Sequence, residues 1–333
     1  MTCCVDRGLR GDRQRFEIAA VHYDFHDRLD SRRQSAFGTK LLTQTGGLMI
    51  GAPGSDVVRG ARASAERHGL PFEELSAAEL RARVGAFHAP ADHVAIWEPN
   101  AGVLAPEAAV AAHLDQARKH GAVLHDDEPV LRWRPITGGV AVETAEGTYE
   151  AERLVISAGA WAGELLADLA LPLTIERNVQ FWFEPVDPAA MTPERFPIFI
   201  HEYEPGLVWY GFPDVGDGAK LALHHQGEKS AVGAVRRSVA PSEVDAVRPL
   251  VERMIPAANG LLLYSAVCLY TNTPDDHFIL DTHPAHPAVF VASPCSGHGF
   301  KFSSAIGELI SDVMMTGTSR FDLTPFRISR FAR

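Results

Sequence analysis

The residues best suited to chemistry cluster in the last third of the chain. Two glycines, a histidine and a lysine stand together in SGHGFK, residues 296–301. They follow an apolar strand pattern and precede a helical pattern. A backbone can approach a ligand closely at such a turn, and helix N–H groups can point toward it. An ordinary strand–turn–helix corner with polar surface residues would show the same local pattern.

A thiol lies upstream of this segment. Cys268 stands in an apolar strand pattern that runs into a polar turn. A cysteine in a strand is most often a small buried hydrophobic residue. A thiol is also the group that a covalent thioether bond to a cofactor requires. The local pattern leaves both interpretations open.

These segments belong to a longer series of motifs whose order and spacing resemble a known family. The series contains TQTGGLMIG, WEPNAGVL, VETAEGTYEAERLVISAGAW, WYGFP, KLALHH, AVCLYTNTPDDHFILD, SGHGFKFSSAIGELISD and FDLTPFRISRF. Over residues 38–331, the chain resembles the monomeric sarcosine oxidases and N-methyltryptophan oxidases, which are FAD-dependent amine oxidases.

The resemblance implies a role for individual residues. Cys268 matches the cysteine that holds FAD through a thioether at its 8α-methyl group. Lys301 and His298 match residues at the substrate end of the flavin ring, where the lysine helps to hold the substrate carboxylate. Lys220 matches the lysine that activates O2, because a cation there stabilises the superoxide formed. The other matching positions are Tyr210 and His224 at the substrate pocket, and Ser157, Gly159, Trp161, Gly297 and Gly299 beside the flavin, with core packing as the alternative for Tyr210 and His224.

The implied activity is oxidation of N-methyl (secondary) amino acids such as sarcosine or N-methyltryptophan. The neutral amine loses hydride equivalents from its N-methyl carbon, and the imine hydrolyses to formaldehyde and the amino acid. O2 is reduced to H2O2, and FAD supplies the chemistry. The resemblance also implies a monomer whose partners are a small secondary amino acid and O2.

The layout of the chain predicts an α/β (α+β) fold with two interleaved parts. An α/β layer over residues 100–170 and 274–333 is expected to be a Rossmann-like FAD-binding domain that lacks its first βαβ unit. A mostly antiparallel sheet over residues 38–99 and 171–273 is expected to be the substrate (catalytic) domain.

Local signals predict several individual elements. Residues 55–70 have helical spacing with Gly69 at the end. Ser76 precedes Glu79 by three residues, which is a capping-box pattern. Residues 41–51 are typical of a strand or a tight hairpin. A further helix is predicted at about residues 241–254.

Residues 1–37 differ from the rest in composition, with seven arginines and no clean periodicity. No G-x-G-x-x-G fingerprint, which cradles the FAD pyrophosphate in the family, occurs in residues 1–60. We therefore hypothesise a truncated gene product whose start comes from a shifted reading frame or a misassigned start codon. A catalytically inactive remnant is then the alternative function. The family's arginine for the substrate carboxylate should lie in this region, but it aligns with none of Arg7, Arg10, Arg13 and Arg15.

The composition argues against several other classes of protein. A net charge of −11 disfavours nucleic-acid binding, because neutralising phosphates needs a basic face. No apolar run approaches the roughly 18 residues that span a bilayer, and residues 1–17 lack the apolar core of a secretory signal. Four cysteines do not make a disulfide framework in 333 residues. We therefore expect a cytoplasmic protein without a membrane partner.

Two other chemistries have weaker support. The absence of a G-x-S-x-G motif argues against a Ser-His-Asp hydrolase. A metal site would have to draw on a loose group of carboxylates and histidines interrupted by prolines, which prevent a helix from aligning the ligands. We therefore expect no metal. The group comprises Asp275, Asp276, His277, Asp281, His283 and His286.

Overall fold

The computed structural model describes residues 40–332, and these residues divide into two compact units. The first contains the described part of Met1–Pro106 together with Glu176–Leu269. The second contains Glu107–Ile175 and Tyr270–Arg333. The substrate-binding and FAD-binding roles expected for the two parts of the chain stay predictions.

The described residues form 17 strands and six α-helices. The strands are β1 Leu42–Gln44, β2 Gly47–Gly51, β3 Glu73–Ser76, β4 Val94–Glu98, β5 Gly102–Leu104, β6 Val130–Ile136, β7 Gly139–Thr144, β8 Thr148–Ala151, β9 Leu154–Ile156, β10 Thr174–Phe183, β11 Ile198–Glu204, β12 Leu207–Asp214, β13 Ala219–His224, β14 Glu228–Ser230, β15 Leu262–Asn272, β16 Ile279–Thr282 and β17 Val289–Ser293. The α-helices are α1 Asp56–His68, α2 Ala77–Arg83, α3 Pro106–Lys119, α4 Ala162–Leu165, α5 Pro241–Met254 and α6 Ser303–Thr316.

One large sheet organises the first unit. Its strand order is β14-β10-β13-β12-β11-β2-β4-β3, and β15 pairs with β10. The central pairs β10–β13, β13–β12 and β12–β11 are antiparallel, whereas β11 and β2 run parallel. The sheet confirms the mostly antiparallel character predicted for this part of the chain.

The two faces of this sheet carry different side chains, because successive residues of a strand point to opposite faces. One face packs Phe199, Trp209 and Leu221 against the apolar side of α5. The other face packs Ile200, Tyr210 and Ala222. We call this second face the site face. It is the face of β13 that also carries Lys220 and His224.

Local capping signals are confirmed. Ser55 accepts a hydrogen bond from the N–H of Val58 and begins α1, and Gly69 ends that helix with φ 62°. Ser76 and Glu79 form both hydrogen bonds of the capping box of α2. The helix predicted at residues 241–254 is α5.

The hairpin alternative at residues 41–51 is wrong. The segment forms two strands, and they pair with different partners: β1 with β5, and β2 with β4 and β11. Gly46, with φ 70°, separates them. The side chain of Trp97 fills the space where a Cβ of Gly46 would lie. A close approach from β4, which is distant in sequence, therefore decides the conformation of this turn.

The second unit contains two three-stranded sheets. In the first, β9 and β17 are parallel and β16 is antiparallel to β17. The second is the antiparallel meander β6-β7-β8. Ile156, Ile279 and Val291 share one buried cluster in this unit. The mixed α/β (α+β) class is thereby confirmed. Within residues 40–332, no helix is both long and apolar enough to cross a bilayer.

Candidate active site

The register of the large sheet brings polar residues together on the site face. Lys220 of β13 stands opposite Trp182 of β10. Tyr210 of β12 stands opposite Ala222, and Val208 stands opposite His224. Since Lys220, Ala222 and His224 alternate along β13, Lys220 and His224 project from the same face as Tyr210.

Lys220 is a cation enclosed by aromatic rings. Its side chain is fully buried, with 1% of the residue exposed. The Nζ atom lies 5.0 Å from the centre of the Trp182 ring and 5.2 Å from that of Phe212. Burying an ammonium is costly, and the faces of aromatic rings offset part of that cost. The sheet therefore holds a positive charge in an environment where it acts strongly on any nearby charge.

Cys268 lies on β15, close enough to Lys220 for the charge of the lysine to affect the thiol. Its thiol is free and partly buried. Burial raises the pKa of the Cys268 thiol, and the positive charge of Lys220 opposes that shift. The thiolate is the reactive form of cysteine. Among the groups that favour the reactive form, Lys220 has the largest effect.

Tyr210 and His224 pack edge to face on the site face, with ring centres 5.8 Å apart. Both are almost fully buried. Gln180 of β10 donates from Nε2 to the hydroxyl oxygen of Tyr210 over 3.4 Å. The tyrosine hydroxyl keeps its own hydrogen for another acceptor, because Gln180 acts as the donor.

The glycine-containing segment of the second unit folds into a tight turn. Ser296 and Gly297 follow one another with φ values of 53° and 74°. A Cβ on Gly297 would meet the ring of Tyr270 at 2.6 Å, and a Cβ on Gly299 would meet the carbonyl oxygen of Pro294 at 1.5 Å. Both positions therefore require glycine, because the Tyr270 ring and the Pro294 carbonyl occupy the space that a side chain would need.

His298 and Lys301 extend from this turn. Nδ1 of His298 lies 2.7 Å from the carbonyl oxygen of Ser296, so Nδ1 carries the hydrogen. The imidazole stacks on Phe278 at 5.0 Å. Lys301 is 9% exposed and lies over the ring of Phe302 at 5.0 Å. The second unit thus holds a buried cation of its own next to an oriented imidazole.

The turn after β9 contains the other predicted flavin contacts. Ala158 has φ −80° and ψ 7°, and Gly159 has φ 54°. A right-handed residue followed by a left-handed one directs successive N–H groups into a concavity that suits an acceptor group. No heavy atom lies within 4 Å of the Cβ position of Gly159, and Ser157 and Trp161 are exposed. The turn has room for a ligand.

Comparison with known proteins assigns the family. The family model DAO, described as FAD dependent oxidoreductase, matches residues 5–313. The chain belongs to this family. Proteins similar to it include the monomeric sarcosine oxidase of Streptomyces avermitilis, with 44% identity over 89% of this chain and 78% of the relative. N-methyl-L-tryptophan oxidase of Salmonella typhi is 34% identical over 88% of this chain and 78% of that protein.

Solved structures show that the chain has the DAO fold. Glycine oxidase from Geobacillus kaustophilus superposes with a TM-score of 0.82, covering 98% of this chain and 85% of that one at 20% identity. The open form of NikD, an unusual amino acid oxidase of nikkomycin biosynthesis, gives a TM-score of 0.79. It covers 97% of this chain and 85% of that structure, also at 20% identity.

The described residues of this DAO chain fit FAD in each unit considered alone. In the first unit, Cys268 provides a free thiol and Lys220 a buried cation. In the second, the turn at Gly159 provides N–H groups and open space. A thiol suits covalent attachment and the N–H groups suit a polar ligand atom, so these donor sets agree with the cofactor of the family.

Three residues of the alternative metal site have other partners. Asp275 pairs with Arg330 at 2.8 Å, and Asp281 accepts from the N–H of Ile328. His283 donates from Nε2 to Asp168 at 2.9 Å, because its Nδ1 accepts the N–H of Ala285. Among the described residues, Asp168, His283 and His286 hold ligand atoms within 4.8 Å of one another. Since both nitrogens of His283 are engaged, these contacts support a structural role.

Residues that the sequence motifs did not indicate surround the predicted ones. Trp182 and Phe212 enclose Lys220, and Gln180 contacts Tyr210. The alternation of polar and apolar residues in β10 was an available signal, because Gln180 and Trp182 fall on one face. Arg7, Arg10, Arg13, Arg15 and the hypothesis of an altered N-terminus concern residues outside the described range.

Proposed function

We propose that this DAO family member is an FAD-dependent oxidase of small N-methyl (secondary) amino acids, such as sarcosine or N-methyltryptophan, and that it acts as a monomer. The observation that carries the proposal is the buried, ring-enclosed cation of Lys220 on the sheet face that also bears Tyr210 and His224. The names of the similar proteins support the substrate class.

Each unit, considered alone, has residues that would hold FAD. Cys268 would form the thioether, and the backbone at Gly159, Gly297 and Gly299 would approach the cofactor closely, with Ser157 and Trp161 beside it. The chemistry that FAD supplies when bound is two-electron oxidation of the amine and transfer of those electrons to O2. The products would be an imine, which hydrolyses to formaldehyde and the amino acid, and H2O2.

The protein residues would bind and orient the substrate. Lys301 would hold the substrate carboxylate, because a carboxylate that leaves water requires a charged donor. His298, fixed by its bond to Ser296, presents Nε2 for a hydrogen bond. Tyr210 and His224 would form the wall of the pocket.

Lys220 would act on O2. Negative charge develops on oxygen as it is reduced, and a fixed cation stabilises that charge without any reorganisation. The low-dielectric surroundings formed by Trp182 and Phe212 strengthen the effect. The expected cytoplasmic setting rests on the cysteine content and stays part of the proposal.

A flavin spectrum of the expressed protein tests the proposal. We expect a yellow protein whose flavin absorbance stays with the polypeptide after acid precipitation, and H2O2 formation with sarcosine or N-methyltryptophan. Cys268→Ala should release the flavin on precipitation, whereas Cys295→Ala should retain it. A colourless protein, or one that forms no H2O2 with any N-methyl amino acid, would contradict the oxidase and support the inactive remnant.

A further inference from the structure

The turn that follows β13 has an unusual backbone. His225 adopts φ 53°, in the left-handed region that is uncommon for residues other than glycine. Such a conformation costs free energy and persists only where surrounding contacts determine it. His225 is also the residue directly after His224, which is assigned to the pocket wall. The contacts that hold this turn therefore bear on the site.

Glu176 supplies those contacts. Its Oε2 lies 3.2 Å from Nδ1 of His225, and its Oε1 accepts the N–H of Gly227 over 2.8 Å. The Glu176 side chain is 8% exposed and that of His225 is 17% exposed. An ionised carboxylate only accepts hydrogen bonds, so Nδ1 of His225 carries the hydrogen. Glu176 thus fixes both the backbone of the turn and the orientation of the imidazole.

The oriented ring of His225 packs directly on the pocket wall. Its centre lies 4.2 Å from the ring centre of His224, with 59° between the ring planes. His224 in turn packs edge to face on Tyr210. A continuous series of contacts therefore runs from Glu176 through His225 to the two residues of the site face.

We propose that Glu176 and His225 are positioning residues, which hold the His224 ring in the orientation that the amino-acid substrate meets. This rests on the proposed function, because it gives His224 a place at the substrate. The hydrogen bond from Gly227 to Glu176 would suffice to close the turn. The second hydrogen bond, between His225 and Glu176, is not needed to close the turn. It fixes the His225 ring against His224.

Two substitutions distinguish a role in positioning the His224 ring from a role in closing the turn. His225→Asn removes the ring but keeps a residue type that tolerates the left-handed backbone. Glu176→Gln keeps one acceptor oxygen for Gly227, but its NH2 group cannot accept from His225. Glu228→Gln is the matched control, because Glu228 lies in the adjacent β14 and makes an exposed ion pair with Arg236.

The holoenzyme kinetics should change in a specific way. With sarcosine, we expect kcat/KM to fall roughly tenfold in His225→Asn and in Glu176→Gln, mostly through a higher KM. Tm and flavin content should match the wild type, and Glu228→Gln should leave all these quantities unchanged. A residue that only closes the turn would lower Tm and leave the KM of the flavin-bearing protein as it was. That outcome would overturn the proposal.

A measurement without substrate distinguishes failure of this inference from failure of the proposed function. The ring signals of His224, assigned with His224→Gln in 13C-histidine-labelled protein, should shift in both variants and stay fixed in Glu228→Gln. If the wild type oxidises no N-methyl amino acid, the proposed function fails and this spectrum still decides the positioning role. Unchanged His224 signals in both variants would overturn it.

Discussion

The Nζ atom of Lys220 lies 5.0 Å from the centre of the Trp182 ring, across two antiparallel strands whose register places the two residues directly opposite. The ring and the strand pairing keep the ammonium inside the first unit, where 1% of the residue is exposed. A cation held in this way is fixed before any reaction begins. The effect of the Lys220 charge can be tested directly by substitution.

Lys220→Met should leave the fold intact and reduce turnover of O2. Methionine keeps the apolar stem and removes the charge, so the stabilisation of developing negative charge is lost. We expect O2 consumption to fall on the order of 100-fold, as when one preorganised electrostatic contact is removed. An oxygen electrode measures the rate. Lys229→Met, at an exposed position of β14, should keep the wild-type rate. Equal rates in the two variants would exclude a role for the Lys220 charge.

Glu243→Gln should destabilise the protein near neutral pH. Burial tends to raise the pKa of Glu243, but hydrogen bonds from Arg236, Arg177 and the N–H of Ala240 outweigh it and hold the pKa at about 2. The carboxylate binds Arg177, which is 2% exposed. Losing a charge-assisted hydrogen bond to a buried arginine should cost roughly 1–3 kcal/mol of unfolding free energy.

The pH dependence of the stabilisation by Glu243 follows from the direction of its pKa shift. Because the folded-state pKa lies below the ordinary value of 4.5, the stabilisation is present above that value. It is lost as the pH falls from 4.5 toward about 2. Urea unfolding at pH 7 and at lower pH should show the stabilities of wild type and Glu243→Gln converging. Glu252→Gln, exposed on the same helix, should match the wild type at each pH. A constant difference at all pH values would contradict the assignment.

Because of His201, the free energy of unfolding should increase as the pH rises toward neutrality. Burial first, and then the charges of His93 and Arg253, lower its pKa from 6.5 to about 3. The ring stays neutral in the fold, where Nδ1 accepts the indole N–H of Trp209 at 3.0 Å. The unfolded chain therefore binds one more proton between pH 3 and 6.5, and stability falls as the pH drops through this range.

The His201→Gln variant tests this linkage. Glutamine can still accept from Trp209 but does not titrate. Between pH 6.5 and 5, the unfolding free energy should change with pH less steeply than in the wild type, by up to about 1.4 kcal/mol per pH unit. Urea unfolding at several pH values in this range measures the slope. Identical slopes would show that folding does not lower the pKa of His201.

Gly299→Ala should disrupt the turn of the second unit. The new Cβ would meet the carbonyl oxygen of Pro294 at 1.5 Å, so the backbone would have to move. We expect less flavin retained per protein and a lower Tm. Gly307→Ala is the matched control, because nothing lies within 4 Å of its Cβ position in α6. That variant should be stabilised by about 0.5–1 kcal/mol, the usual gain for alanine in a helix. Equal Tm and flavin content in both variants would refute the argument.

Some features of this protein follow from the sequence alone, because their physical causes are local. Ser76 and Glu79 cap α2 with side chains three residues apart, and Gly69 ends α1 because glycine tolerates the left-handed conformation. The order of motifs around Cys268 and Lys301 also places the chain in its family. Motif order is a property of the sequence itself, so it can be recognised without the folded structure.

Tertiary structure decided what depends on partners distant in sequence. Residues 41–51 contain β1 and β2, which do not pair with each other because β1 pairs with β5 and β2 pairs with β4 and β11. The contact between Glu176 and His225 joins positions 49 residues apart, and sequence periodicity specifies the face of a strand but not what lies opposite it. The sequence thus determined which residues could form an oxidase site. The register of the sheet decided that Lys220 would lie among aromatic rings and that His224 would have a second histidine against it, since register depends on the packing of the whole sheet.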